Sequence, residues 1–388
     1  MKLKIAYALL LIPFLVACND KNEVLSSIPG GAAVATIASD YSSGSHAVIS
    51  DTNLGFESLN NILPTGSDIT LAAGGKYFYR IEKAYAGNNI TKFSFADPQT
   101  VIWQYSVKDD PQEAVASNPT DMVVLNDQKA YVIRYGKPVV WIVNPSATTE
   151  QDFKIGEIDL SSYSDSDGVP EMYSGVIADG KLFITIQRLA YYSPSEIAYV
   201  AVFDTATDTE IETNYLGDLV KGIPLEIRNM NNDMVFVQSD NAIYVQGVGS
   251  FSSTVYTGGI ERIDVSDFST NLVLDDGDEA AHPNGRITSL AVVSATEAYF
   301  LGCADCDFGG GSFSDYSLYQ LNPTTGNVVL VSITEFQNTS LNDLALSPAG
   351  DLWVSAGDAT LHIMDTVSGS LITSIYTQLN PAQVVFGE

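Results

Sequence analysis

The chain has 388 residues, with 18 Lys+Arg against 47 Asp+Glu, a net charge of −29 and a pI near 4.1. With 45% hydrophobic residues, 20 Tyr and 16 Phe, it can bury a core and is not a disordered acidic tail. A polyanion of this kind is repelled by phosphate backbones and anionic headgroups, which excludes nucleic acid as a partner.

At the N-terminus Lys2 and Lys4 precede an apolar run from Ile5 to Val16. About a dozen residues are too few to span a bilayer and suit the hydrophobic region of a signal peptide. The run ends in Leu15-Val16-Ala17-Cys18, followed by Asn19-Asp20 and a polar stretch to Gly30. A small residue before Cys at this place resembles the bacterial lipoprotein box. The resemblance implies cleavage before Cys18 and acylation of its thiol, and several acyl chains at about 0.8 kcal/mol per buried CH₂ hold a protein at a membrane. Residues 1–17 are thus expected to be a signal peptide, 18–30 a lipidated tether and 31–388 a single domain. Losing Lys2 and Lys4 would take the charge from −29 to −31. In the sorting rule of such lipoproteins, Asp directly after the lipidated Cys favours the inner membrane. Asn19 stands there, so the outer membrane is expected ahead of the inner one, with periplasmic or surface orientation left open.

Beyond the tether, no helical stripe occurs. Short runs rich in Val, Ile, Tyr and Phe recur between Gly, Asp, Asn and Pro turns, the signature of an all-β chain. One pattern repeats: a polar residue, an apolar strand, a tight turn, then an aromatic. It reads Asp68…Phe78, Asp121…Tyr131, Tyr173…Phe183, Asp233…Tyr244, Ser289…Tyr299 and Asp343…Trp353, with starts 53, 52, 60, 56 and 54 residues apart. That period suits a four-stranded propeller blade. Asn118-Pro119-Thr120-Asp121, which opens the second blade, has a counterpart in Asn380-Pro381-Ala382-Gln383. The C-terminal segment is therefore read as the first strand of a seventh blade, completed by strands near Ala33–Ser39, His46–Thr52 and Glu57–Leu63. Such mixing leaves no free sheet edge at the closure. The expected fold is a seven-bladed β-propeller. Hidden strands between Asn214 and Asp233 would change the count to six or eight.

Asn342-Asp343-Leu344-Ala345-Leu346-Ser347-Pro348-Ala349-Gly350-Asp351-Leu352-Trp353-Val354 resembles the repeat of YVTN/NHL-type propellers. Asn322-Pro323-Thr324-Thr325-Gly326, Asp365-Thr366-Val367-Ser368-Gly369 and Asp204-Thr205-Ala206-Thr207-Asp208 resemble the turn shared with quinoprotein-like and WD40-like repeats. The resemblance implies a fold and not a function, because propellers host enzymes, binders and scaffolds alike.

In such a ring one face carries the short turns. The other is expected to carry residues 108–118, 163–171, 188–196, 215–228, 247–259, 275–286 and 302–315. Long loops on a rigid scaffold concentrate binding function. They hold Tyr85, Tyr135, Tyr191, Tyr192, Phe251, Tyr256, Phe308 and Phe313, a candidate face for a membrane-associated protein or a small molecule. Asp68, Asp121, Asp233 and Asp343 are read as equivalent positions near the channel mouth, with Gln383, Ser289 and Tyr173 completing a ring. Converging carboxylates could hold Ca²⁺, which takes six to eight hard oxygens. The competing reading, that they bond backbone amides between blades, is the stronger.

Cys303 and Cys306 remain once Cys18 is assigned to lipid, and an even pair in an oxidising compartment reads as a disulfide. Closing so small a loop stabilises by only about 2 kcal/mol, so its use would be loop shape. The turn Tyr163-Ser164-Asp165-Ser166-Asp167-Gly168 lacks the first Asp of a calcium-binding EF-hand and reads as a solvated acidic turn. His46, His282 and His362 fall in different blades and suggest no triad or zinc site. Two function classes remain. The favoured one is a membrane-anchored binding or scaffold protein without a firm cofactor. The alternative is an enzyme at the channel mouth, a lactonase-type hydrolase using Ca²⁺ or a quinone-cofactor dehydrogenase.

Overall fold

The computed structural model describes residues 31–52, 55–113, 116–189, 194, 196–214, 220–250, 255–304, 306 and 315–387. Three strands come first: β1 (Ala32–Ile37), β2 (Gly44–Thr52) and β3 (Gly55–Thr65). Blade 1 follows with β4 (Ile69–Gly74), β5 (Tyr77–Glu82), β6 (Asn89–Ser94) and β7 (Trp103–Ser106). Blade 2 holds β8 (Pro119–Asn126), β9 (Lys129–Arg134), β10 (Val139–Val143) and β11 (Lys154–Asp159). Blade 3 holds β12 (Met172–Ala178), β13 (Lys181–Ile186), β14 (Tyr199–Asp204), β15 (Thr209–Glu210) and β16 (Ile223–Pro224). Blade 4 is β17 (Val235–Val237), β18 (Ala242–Gly247), β19 (Gly259–Asp264) and β20 (Thr270–Asp275). Blade 5 is β21 (Arg286–Ser294), β22 (Glu297–Cys303), β23 (Tyr316–Asn322) and β24 (Asn327–Leu330). Blade 6 is β25 (Leu341–Leu346), β26 (Leu352–Ala356), β27 (Thr360–Asp365) and β28 (Ser370–Tyr376). The last strand, β29 (Asn380–Phe386), pairs with β1, so blade 7 runs β29-β1-β2-β3. This is an all-β, seven-bladed propeller closed by joining its C-terminal strand to its N-terminal ones. Among the described residues between Asn214 and Asp233, β16 extends blade 3 by pairing with β14. Among the described residues no helix is long and apolar enough to cross a membrane.

Alternation along each strand sends successive side chains to opposite neighbours. Seven apolar clusters result, one at each blade junction. The repeat aromatics Tyr131, Phe183, Tyr244, Tyr299 and Trp353 are all buried and each faces the next blade. At the closure Trp353 meets Phe386 of β29 at 5.2 Å and Phe56 of β3 at 5.8 Å, both edge-on.

The first repeat is corrected by its register. Asp121 lies opposite Ile133, Ser289 opposite Leu301 and Asp343 opposite Ser355. In each case the aromatic stands two residues before that partner. In blade 1 the matching pair is Thr70 opposite Ile81, with Tyr79 as the aromatic. Tyr79 faces blade 2, whereas Phe78 turns back toward blade 7. A one-residue slip reverses the face of a strand residue, so Asp68 and Phe78 are not the equivalents of Asp121 and Tyr131.

The loop lengths divide the ring as its turn pattern suggests. On one face β4–β5, β8–β9 and β12–β13 are joined by turns as short as 75–76, 127–128 and 179–180. The other carries 160–171 and 276–285, together with the described parts of the longer connections, 107–113, 116–118, 187–189, 196–198, 248–250 and 255–258. The exceptions on the short face are 95–102 and 144–153, the second of which tucks Phe153 into the junction of blades 1 and 2.

Candidate functional site

At the long-loop face a cavity of about 390 Å³ opens on the propeller axis. Its lining comes from all seven inner strands or the residues leading into them, for example Thr70, Thr120, Tyr173, Asp233, Thr288, Asp343 and Gln383. The strands reach it through β-bulges. Extra residues on β8, β21, β25 and β29 break the register just before Asp121, Ser289, Asp343 and Gln383. The residues so displaced, Thr120, Thr288, Asn342 and Ala382, all line the cavity. Bulges re-aim side chains next to sites in this way.

Below the mouth, ring side chains stitch neighbouring blades. Asp121 accepts from Met122 N–H at 2.6 Å and from Gly175 N–H of blade 3 at 2.9 Å. Ser289 Oγ accepts from Leu344 N–H at 3.1 Å and from Asn232 Nδ2 at 2.8 Å, and donates to Asp343 Oδ1 at 2.9 Å. Gln383 Oε1 accepts from Leu71 N–H at 2.7 Å and from the Thr70 hydroxyl. Its Nε2 then donates to Asp233 Oδ2 at 2.9 Å, a bond from blade 7 across the channel to blade 4. Two donors on one amide atom and a carboxylate on the other fix the orientation of Gln383. Amide bonding between blades, the stronger sequence reading, therefore accounts for Asp121, Ser289 and Gln383.

Three carboxyls crowd this ring with little positive charge near them. Burial first, then repulsion from Asp233, pushes Asp121 up to about 8 and Asp343 up to about 7. Burial also raises Asp233, whose side chain is open to cavity water yet enclosed by protein. Tyr173 is raised by burial and by the same three carboxylates. Lys83, on the rim, lies 3.5 Å from Asp68. Asp68 also accepts from Tyr85 N–H at 3.1 Å, which holds it beside the mouth and outside the ring.

No three of the ring carboxylates bring their oxygens within 4.8 Å of one another among the described residues. Among the described residues, the group of three whose oxygens approach within 4.8 Å of one another is Asp165, Asp167 and Glu171, in the loop between β11 and β12. Glu171 is buried, has φ 49° and is raised by burial to about 8. These three could share a hard cation more readily than Asp68, Asp121, Asp233 and Asp343. Reading the turn against the EF-hand pattern passed over Glu171, which joins it from four residues downstream of Asp167.

The aromatic face divides. Tyr85 is 94% exposed. Tyr135 is half-buried. Tyr256 stacks on His282 at 4.6 Å, with the Arg286 guanidinium 4.4 Å from its ring. Tyr191, Tyr192, Phe251, Phe308 and Phe313 lie outside the described residues, as does Cys18. The rings that line the cavity are Tyr41, Tyr173 and Tyr316. Tyr41 sits at the tip of the β1–β2 turn, a position legible once those strands were assigned to the closing blade. Cys303 and Cys306 are joined as a disulfide at the base of their loop. No histidine lines the cavity. His46 packs between Phe78 and Phe93, with burial lowering it to about 4.

The class defined by fold and site is a seven-bladed β-propeller with an acidic, aromatic cavity at its axial mouth. No protein-family model matches the chain, and no curated protein does. Solved structures match it in shape. A candidate 6-phosphogluconolactonase from Bacteroides uniformis ATCC 8492 superposes with a TM-score of 0.58 at 12% identity, covering 92% of this chain and 98% of its own. A functionally unknown protein from Desulfotomaculum acetoxidans DSM 771 gives 0.57 at 14% identity, covering 92% and 99%. The WD40 domain of Neurospora crassa Pan2 gives 0.51 at 10% identity, covering 82% and 80%. At these identities the likeness is one of fold.

Proposed function

We propose that this chain is a lipid-anchored binding protein of the bacterial cell envelope, outer membrane ahead of inner, that holds a small molecule at the axial mouth of its propeller. One observation carries the binding part: all seven inner strands wall a cavity of about 390 Å³ on the face that also bears the long loops. That volume lies in the range of ligand pockets, roughly 300–1,000 Å³, and a site built on strands is held more rigidly than one built on loops. The anchor is supported by Leu15-Val16-Ala17-Cys18 and the apolar run before it. The surrounding loops, with Tyr85 and Tyr256, offer a surface for a membrane-associated partner. The enzyme alternative has less support, since no histidine lines the cavity and the ring carboxylates do not gather around one point.

The binding part is tested by native mass spectrometry of the chain released from its own membranes in mild detergent. A bound mass is expected, and it should be absent from Ala382→Trp, which fills the mouth. Wild-type protein free of any bound mass, or an adduct that survives Ala382→Trp, would overturn it. The anchor is tested with labelled palmitate: no label on the wild type, or label retained by Cys18→Ser, would sink that assignment.

A further inference from the structure

The cavity wall is unusual in what it offers a ligand. Three Tyr rings, Tyr41, Tyr173 and Tyr316, contribute to it, and aromatic faces attract cations. Asp233 is open to the space, Asp343 lies in the wall, and Asp233 repels both Asp343 and Asp121. Asn231, also in the wall, has its carbonyl oxygen buried without a hydrogen-bond donor. Against these acceptors stands one cationic lining residue, Lys83, itself 3.5 Å from Asp68. Two carboxylates against one lysine, itself drawn to Asp68, leave the lining with an excess of negative charge.

We infer that the mouth takes a small organic cation, an ammonium compound with hydrogen-bonding groups on its body; this rests on the mouth being the binding site. A positive centre near Asp233 and Asp343 offsets the burial that raises both carboxyls and the repulsion of Asp343 by Asp233. It also gains the Tyr faces, and its N–H groups can donate to the side-chain oxygen of Asn231. A bare metal ion fits less well. The cavity is far larger than an ion, since one water occupies only about 30 Å³, and no three ring carboxylates come within 4.8 Å of one another among the described residues. The chain's net charge of −29 acts in the same direction over distance, raising the local concentration of cations.

Isothermal titration of the detergent-solubilised full chain with choline, putrescine and spermidine tests this, alongside 3,3-dimethyl-1-butanol and 1,4-butanediol, which copy the shapes of choline and putrescine without charge. At least one amine should bind, tenfold or more tighter than its neutral counterpart. Asp233→Asn should weaken it tenfold or more, with the melting temperature recorded to show that the variant is folded. Asp127→Asn, on the short-turn face, should leave binding unchanged. Equal affinity for the neutral counterparts, no amine binding, or indifference to Asp233→Asn overturns the cation class. If a neutral compound binds and is lost in Ala382→Trp, the mouth remains the site and only the cation class falls. If amine binding survives Ala382→Trp, the mouth itself is wrong.

Discussion

Blade 6 puts two kinds of construction side by side. Trp353 on β26 is buried in the junction with blade 7, among Ile49, Leu361 and Ile363. On the neighbouring strand β25, Asp343 looks into the channel mouth beside Asp233, with its carboxyl pushed up to about 7. The junctions bury apolar surface with matched shapes and contribute stability. The mouth collects like charges that oppose one another and lowers stability in exchange for a shaped, polar opening. Strained or repulsive groups that a fold tolerates are where function concentrates.

Four measurements break or sharpen that contrast. The largest effect is expected from removing residues 380–388. Blade 7 then loses its inner strand, the partner of β1, and the ring is left with an exposed edge. Cooperative thermal unfolding followed by circular dichroism should disappear. Next, Trp353→Ala should cost about 3–5 kcal/mol, read as a lower urea midpoint, while the affinity of the mouth stays as it was. If that variant loses binding while still folded, walls and mouth are not separable. Third, Ser289→Ala removes a hydroxyl that Asn232 and Leu344 donate to and that donates to Asp343. With these groups left unpaired, the cost should be about 1–3 kcal/mol.

The smallest effect has the opposite sign. Asp121, Asp233 and Asp343 have folded pKa values raised above the ordinary 3.8. Above that value the folded chain therefore holds more protons than the unfolded one, and stability falls as pH rises through about 7 and 8. The melting temperature should drop between pH 6 and pH 9, and Asp233→Asn should flatten the drop and stabilise by about 1 kcal/mol at pH 8. A melting temperature that is level across this range in the wild type would show that the mouth carries no such stored repulsion.

Much of the ring is legible in the order of residues. Tyr131, Phe183, Tyr244, Tyr299 and Trp353 mark a period near 50–60 residues because each blade needs one large side chain facing its neighbour. Asn118-Pro119 and Asn380-Pro381 announced the closure because both precede the same bulge. Blade 1 was misread by one or two residues. Asp68 and Phe78 satisfy the pattern as well as Thr70 and Tyr79 do, and only pairing partners tell them apart.

The amino-acid sequence by itself carried the repeat, pointed to seven blades and showed which face bears the loops, since strand length, turn chemistry and alternation are local properties of a chain; the structure fixed the count. The tertiary structure decided where the site is. The cavity is made by Tyr41, Lys83, Tyr173, Asp233, Tyr316 and Asp343, which are tens to hundreds of residues apart and meet only because the seven inner strands, or the residues leading into them, converge on one axis. The displaced charges follow from the same meeting. A carboxyl's pKa responds to what surrounds it in space; the repeat register puts Asp121 and Asp233 in one ring, and only the packed structure sets how deeply each is buried and which of them repel.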